Sequence, residues 1–141
     1  MEMLKPLMLA AGLATATAAT ALAHDTKPLQ SAPPPAPYAK VSDLVKLPEF
    51  IPGLGTLYVD PASLPAGPFL AYDHDGKLSA TVYMTPIETL KGGKAFEHLS
   101  LGSHDVSSVD VYYNAGHPGV EKPHIHVVLY HDKDAEERLA K

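Results

Sequence analysis

Three stretches of the chain alternate apolar and polar side chains, and this alternation limits the fold more than any other feature. Residues 78–85, 106–113 and 124–130 carry the pattern. Successive side chains of a β-strand point to opposite faces, so a period of two is typical of an antiparallel sheet with one buried side. The sequence therefore predicts a mainly β fold (β-rich α+β), built as a small antiparallel sheet or barrel. In the first stretch, the residues predicted to share the buried face are Leu78, Ala80, Val82 and Met84.

Local signals predict the remaining elements. The Asp75-Gly76 pair tolerates positive φ and predicts a β-hairpin that joins residues 69–72 to residues 78–85. Thr85-Pro86-Ile87-Glu88 combines an N-cap hydroxyl, a proline at the first helical position and a glutamate three residues after the cap, and so predicts one short helix. Residues 132–141 are predicted to form a frayed C-terminal helix capped by Asp132.

The first forty residues differ in composition from the rest. Residues 1–23 have a charged start, an apolar run and the small-x-small sequence Ala21-Leu22-Ala23, as in a secretory signal peptide. Residues 24–40 are rich in proline and alanine and predict a Pro-rich disordered tether. Residues 41–141 remain as a single β-rich domain. We therefore expect a periplasmic or secreted protein.

Composition excludes several functions. The chain has no cysteine, which rules out disulfides, thiolate metal sites and a cysteine nucleophile. The formal net charge is −5, the lysines are scattered and Arg138 is the only arginine, so no nucleic-acid partner is implied. No basic amphipathic helix is present, so no membrane association is expected after signal cleavage. Exposed edge strands would favour a homo-oligomer.

A histidine cluster near the C-terminus is the strongest functional signal. His124 and His126 alternate with Ile125, which sends both rings to one face of a strand, and His117 lies in the loop before it. If the apolar faces of the last two strands are aligned, Asp110 lies opposite or diagonal to His126. Imidazole and carboxylate are ligands for zinc, copper or iron. We therefore predict a metal site formed by His117, His124, His126 and Asp110, holding zinc or copper.

Three function classes remain compatible with this pattern. The first is an exported metal-binding domain whose partner is the metal ion itself. The second is a small metalloenzyme of cupin-like type that uses an open coordination position. The third is a structural or ligand-binding β domain without a metal, in which the histidines only shape a turn. Separately, cleavage after Ala23 would leave His24 as an N-terminal residue able to chelate copper through its amine and imidazole.

Two resemblances bear on these classes. Residues 53–61 (GLGTLYVDP), 64–68 (LPAGP) and the ending from Gly116-His117-Pro118-Gly119 to Leu129-Tyr130 resemble an uncharacterised family of exported bacterial β-rich domains. That family typically has a further histidine four residues after the Pro-His pair, where this chain has His126 two residues on. The resemblance implies a mainly β fold, export and an altered or re-formed site. Gly119 and His124-Ile125-His126 also partly resemble a cupin motif, without its following glutamate.

Overall fold

A computed structural model describes residues 25–141. The predicted signal peptide and His24 lie outside this range. Six strands and three α-helices are present: β1 (Ala39–Lys40), α1 (Val41–Leu44), β2 (Thr56–Val59), β3 (Phe69–Tyr72), β4 (Leu78–Pro86), α2 (Ile87–Lys91), β5 (Ser108–Asn114), β6 (His124–Tyr130) and α3 (Ala135–Ala140). Short 3-10 turns cover Lys27–Leu29 and Pro61–Ser63. Within the described range, no helix has the length and apolar character to cross a membrane.

All six strands belong to one antiparallel sheet in the order β1-β2-β3-β4-β6-β5. The predicted mainly β fold is therefore confirmed, as is the hairpin of β3 and β4. The last strand, β6, lies between β4 and the edge strand β5. This position brings the two histidines of β6 into the middle of the sheet, with Met84 on one side of His126 and Tyr112 on the other.

The central strand β4 is buried on both faces, whereas its alternation predicted one buried side. The polar face, which carries Thr81, is covered by the N-terminal segment and by residues 100–107. A β-bulge opposite Ala71 and Tyr72 also shifts the register, so that Leu78 pairs with Tyr72 while Ala80 pairs with Ala71. Leu78 therefore packs on the opposite face from Ala80, and the prediction that both share one face is wrong. Alternation cannot reveal a bulge, because the extra residue changes pairing without changing composition.

The larger core lies on the face of the sheet that α1 and α3 cover. It includes Val59, Ala80, Val82 and Leu139, each with no exposed surface. Helix α3 is thus firmly packed and not the frayed helix that its charged sequence predicts, because Leu139 inserts into this core. Its N-cap is Asp134, whereas the predicted cap, Asp132, binds the guanidinium of Arg138.

The segment predicted to be a disordered tether is packed on the other face from residue 25 onward. Leu29 is 4% exposed and joins Tyr58, Leu70 and Tyr72 in a second apolar cluster. The Tyr72 hydroxyl donates to the Leu29 carbonyl at 2.7 Å. The composition argument fails here because a few apolar side chains suffice to dock a proline-rich segment, since proline has little backbone freedom to lose.

The predicted capping box at the short helix does not form. Strand β4 continues through Pro86, which becomes the N-cap of α2, and no side chain caps the helix. The Thr85 hydroxyl donates instead toward the Ile125 carbonyl at 3.5 Å on the neighbouring strand. Pairing with β6 thus extends β4 by one residue beyond the predicted helix start.

Candidate metal centre

Strand β6 directs His124 and His126 into the protein. The two side chains share one face, as predicted, and His124 has no exposed surface while His126 is 2% exposed. The opposite face of the β5–β6 pair, which the sequence marks as the apolar one, is turned outward, and Val111 is 66% exposed. A histidine-bearing face can be buried only where each ring nitrogen finds a partner, because an unpaired polar atom in the interior is costly.

The loop between β5 and β6 brings His117 over the same face. His117 and Val120 exchange two backbone hydrogen bonds of 3.0 Å, and Val120 is 7% exposed in the core. Gly116 has φ +133°, and a Cβ there would lie 2.3 Å from the Glu121 carbonyl oxygen. The Asn114 side chain accepts a hydrogen bond from the Gly116 amide at 2.8 Å. The loop is therefore a defined turn that fixes the position of His117.

The Nε2 atoms of the three histidines converge on one point. The distances are 2.9 Å between His124 and His126, 3.1 Å between His124 and His117, and 3.3 Å between His117 and His126. These are the histidines that the sequence predicted as ligands, and they are the group of potential metal-binding side chains found in the described residues. Residues from a loop and from a strand thus present three nitrogens to the same small volume.

The Nδ1 atoms of the three rings all have hydrogen-bond partners outside this volume. The Nδ1 of His117 lies 3.0 Å from the Pro118 carbonyl, and the Nδ1 of His124 lies 2.7 Å from the Lys122 carbonyl. A carbonyl oxygen only accepts, so both Nδ1 atoms carry a proton, and in the corresponding neutral tautomer the Nε2 lone pair points inward. Such outer hydrogen bonds orient histidine ligands and fix their tautomer.

Electrostatics inside the triangle favour a cation. The Nε2 atoms of His117 and His124 direct lone pairs at each other. A proton on the Nε2 of His126 could be donated to one of them, but the contact between His117 and His124 would still be repulsive. Burial, together with the neighbouring His124 and His117, lowers the pKa of His126 to about 4, so its ring is neutral at pH 7. Three imidazoles that direct their Nε2 atoms to one point could hold a metal ion.

Asp110 is not brought into this group. It pairs with Val128 on β6, diagonal to His126 as predicted, but its carboxylate accepts a hydrogen bond of 3.1 Å from the Tyr130 hydroxyl. Burial and this bond raise the pKa of Tyr130. The structure thus gives Asp110 a partner other than the histidines.

The sequence did not identify Tyr112 as part of the site. Its hydroxyl lies 3.1 Å from the Nδ1 of His126, which faces it across the β5–β6 pair. In the alternation pattern Tyr112 falls on the same face as the histidines, and this feature of the sequence could have identified it as part of the site. The apolar pocket beside the triad was also missed, because its walls come from α1 and from loops that are distant in sequence.

Fold and site together define a small antiparallel β-sheet domain with an inward-facing three-histidine centre. Among solved structures, the chain is similar to the hypothetical protein TTHB210 from Thermus thermophilus, with 39% sequence identity and a TM-score of 0.59. The match covers 67% of this chain and 94% of the Thermus chain. The chain therefore belongs to the same family as that hypothetical protein. No protein-family model matches the chain, and no curated protein matches it significantly.

Proposed function

We propose that the protein binds one zinc or copper ion through the Nε2 atoms of His117, His124 and His126. The observation that carries this proposal is the convergence of the three nitrogens within 3.3 Å of one another while each Nδ1 is hydrogen-bonded elsewhere. Histidines that only shape a turn would not be expected to bring their three Nε2 atoms together, because facing acceptor atoms repel one another.

The spacing of the nitrogens fits a metal ion. The centre of their triangle is about 1.8 Å from each Nε2, which is close to the zinc–nitrogen bond length of about 2.0–2.1 Å, so the three nitrogens could hold an ion between them. Three histidines would leave one position of a four-coordinate ion open. Sites with three protein ligands and an open position are typical of zinc in reactive rather than purely structural roles.

Metal analysis of the purified full chain tests the proposal. We expect one zinc or copper ion per chain, and loss of that ion in His117→Asn, because two histidines alone bind far more weakly. His117 is the variant of choice because it lies on a loop and is only partly buried. The control is His98→Asn, an exposed histidine with φ 54°, a conformation that asparagine accepts.

Two results would count against metal binding. The first is a full-length protein that takes up neither zinc nor copper when these are supplied. The second is equal metal content in His117→Asn and His98→Asn, which would place the ion elsewhere. Either result would favour the third class considered above, a β domain whose role does not involve a metal.

A small metalloenzyme is a second candidate, favoured by the pocket that opens beside His117 and His126. An open coordination position next to a pocket is what catalysis at a metal requires. No aspartate or glutamate is among the described residues that line this pocket. A carboxylate general base is thus lacking there, so the site supports binding better than hydrolysis.

We also propose that the protein is exported and that residues 1–23 are removed. The sequence pattern of those residues supports this step. N-terminal sequencing of the protein from the periplasm tests it: a start at His24 is expected, whereas a start at Met1 would contradict export with cleavage.

A further inference from the structure

A pocket of about 300 Å³ ends at the histidine triad. It lies on the α1 side of the sheet, under α1 and the loop that follows it, and over β2 and β4. His117 and His126 contribute to its wall, so the open side of the proposed ion can face into this space. Partly exposed Leu44 and Leu64 mark its rim, since each is 43% exposed.

The pocket is polar at one end only. Tyr112, Asn114, His117 and His126 supply its polar side chains, and they cluster because Tyr112 and His117 both contact His126. Most of the remaining wall is aliphatic or aromatic. Its members include Val41, Val45, Leu57, Val59, Phe69 and Met84. A ligand that fits both parts has a metal-binding head and an apolar body.

The charge of the proposed metal ion determines which metal-binding group a ligand is expected to carry. Three neutral imidazoles leave the charge of a divalent ion uncompensated, and no charged side chain is found among the described residues that line the pocket. A net charge in an apolar enclosure is costly unless it is paired, so an anionic fourth ligand is favoured over a neutral one. Oxygen of a carboxylate is a regular zinc ligand at about 2.0–2.2 Å.

We propose that the pocket binds a medium-sized apolar monocarboxylate, with its carboxylate on the metal and its hydrocarbon part against the aliphatic wall. This inference rests on the proposed metal binding. The volume of about 300 Å³ is at the small end of the range for small-molecule pockets, about 300–1,000 Å³, and therefore favours a medium-chain or single-ring acid over a long-chain lipid.

Calorimetric titration of the zinc-loaded full chain tests the inference, after metal analysis has verified one zinc per chain. The probes are acetate, butanoate, hexanoate and octanoate, with 1-octanol as the uncharged counterpart of octanoate. Each methylene buried in the pocket is expected to raise affinity about fourfold. Octanoate should bind at one site, 1-octanol at least tenfold more weakly, and the metal-free protein should not bind octanoate.

A matched pair of leucine substitutions tests where the hydrocarbon part of octanoate binds. Leu44→Asp places a negative charge on the rim of the pocket, whereas Leu90→Asp makes the same change in α2, outside its lining. The two leucines are 43% and 41% exposed, so neither substitution burdens folding more than the other. Leu44→Asp is expected to weaken octanoate binding at least tenfold while zinc content is unchanged, and Leu90→Asp to leave both unchanged.

The outcomes separate this inference from the proposed function. A protein that holds one zinc but binds octanoate no better than acetate overturns the carboxylate inference and leaves metal binding intact. The same holds if Leu44→Asp and Leu90→Asp weaken octanoate equally. A protein that takes up neither zinc nor copper overturns both proposals, and metal analysis alone detects this before any acid is added.

Discussion

The hydroxyl of Tyr112 lies 3.1 Å from the Nδ1 of His126, directly across the pair of strands that ends the sheet. Their rings are tilted by 51° with centroids 5.0 Å apart. Tyr112 is thus the side-chain group that orients His126, whereas backbone carbonyls orient the other two histidines. This difference makes it possible to loosen the site without removing a ligand.

Replacement of Tyr112 by phenylalanine should weaken metal binding by roughly tenfold, because loss of an outer hydrogen bond to a histidine ligand typically costs 10–100-fold in affinity. Competition with a chromogenic chelator measures the change. Tyr113→Phe is the control, because Tyr113 is 59% exposed on the opposite face of the same strand. Equal affinities of the two variants would show that the hydroxyl of Tyr112 does not support the site.

The turn that carries His117 should not accept a side chain at Gly116. Alanine there would meet the Glu121 carbonyl at 2.3 Å, whereas alanine at Gly93, with φ +88°, meets nothing within 4 Å. Positive φ alone costs about 1–2 kcal/mol, and steric overlap adds about 1–3 kcal/mol. Gly116→Ala should therefore lower the free energy of unfolding more than Gly93→Ala in chemical denaturation.

Metal affinity distinguishes the two glycine variants further. Gly116→Ala displaces His117 and should reduce metal uptake, whereas Gly93→Ala should leave it unchanged. Normal metal affinity in a destabilised Gly116→Ala protein would mean that the turn contributes to folding only.

Arg138 anchors the C-terminal helix through two carboxylates. Its guanidinium lies 2.8 Å from Asp73, which is 4% exposed, and 2.7 Å from Asp132. Removing one partner of a buried ion pair commonly costs about 3–5 kcal/mol. We expect about 3 kcal/mol for Arg138→Met in urea denaturation, since Asp73 also accepts hydrogen bonds from the Asp75 and Lys77 amides. Lys141→Met, which removes only the exposed pair with Glu137, should leave stability nearly unchanged, because water and salt screen such pairs.

The same cluster predicts a pH effect on stability. The Arg138 guanidinium holds the pKa of Asp132 well below its ordinary value of 3.8. A carboxyl group with a lowered folded-state pKa contributes stability that is full above its ordinary value and is lost as the pH falls through the lower one. The stability cost of Arg138→Met should therefore shrink as the pH falls from about 5 to about 2, because the wild type loses this contribution over that range. Equal costs at both ends of this range in urea denaturation would exclude this coupling.

His131 predicts a second pH effect, distant from the metal centre. Its Nδ1–H donates to the Asp105 carbonyl at 2.7 Å, and its Nε2 accepts from the Thr81 hydroxyl at 2.7 Å, which in turn accepts from the Gly102 amide. The bond from Thr81 requires the neutral ring, because Nε2 must accept it, whereas the bond to Asp105 does not, and burial lowers the pKa of His131. Its stabilisation is therefore full above an unfolded-state pKa of about 6.5 and is lost as the pH falls below that value.

The substitution His131→Gln tests this effect. It should cost roughly 1–3 kcal/mol at pH 7.5, because buried hydrogen-bonding groups lose partners, and should cost less at pH 5.5, where the wild type is itself weakened. Thermal melts of both proteins at the two pH values give the comparison. A cost that is the same at both pH values would contradict a neutral, stabilising His131.

The sequence predicted strands β3 to β6 and the shared face of His124 and His126, because these depend on local patterns, whereas β1 and β2 were not predicted. Residues 124–130 form β6 with the predicted bounds, and His124 and His126 share a face because they are two residues apart. The direction of that face was not predictable from local signals. The apolar residues Val109 and Val111 point outward because α1 and the loop after it cover the other side, and this packing joins segments far apart in the chain.

The pocket and the docked N-terminal segment escaped prediction for the same reason. Leu29 is the one leucine among prolines, alanines and polar residues, and its burial depends on the distant cluster around Tyr72. Asp110 was predicted as a ligand because it shares a face with the histidines. A shared face does not determine whether its carboxylate contacts a histidine or another polar group on that face. The Tyr130 hydroxyl, two residues along the neighbouring strand from Val128, takes the carboxylate.

His117 belongs to a loop, whereas His124 and His126 belong to the centre of the sheet, so an ion held by all three would join two parts of the chain like a removable cross-link. Binding to the folded form alone would stabilise the protein by about 2.7 kcal/mol at a free-metal concentration one hundred times the dissociation constant. The melting temperature would then rise with the metal supply. The time for which the protein stays folded in its compartment would then depend on the concentration of free metal there.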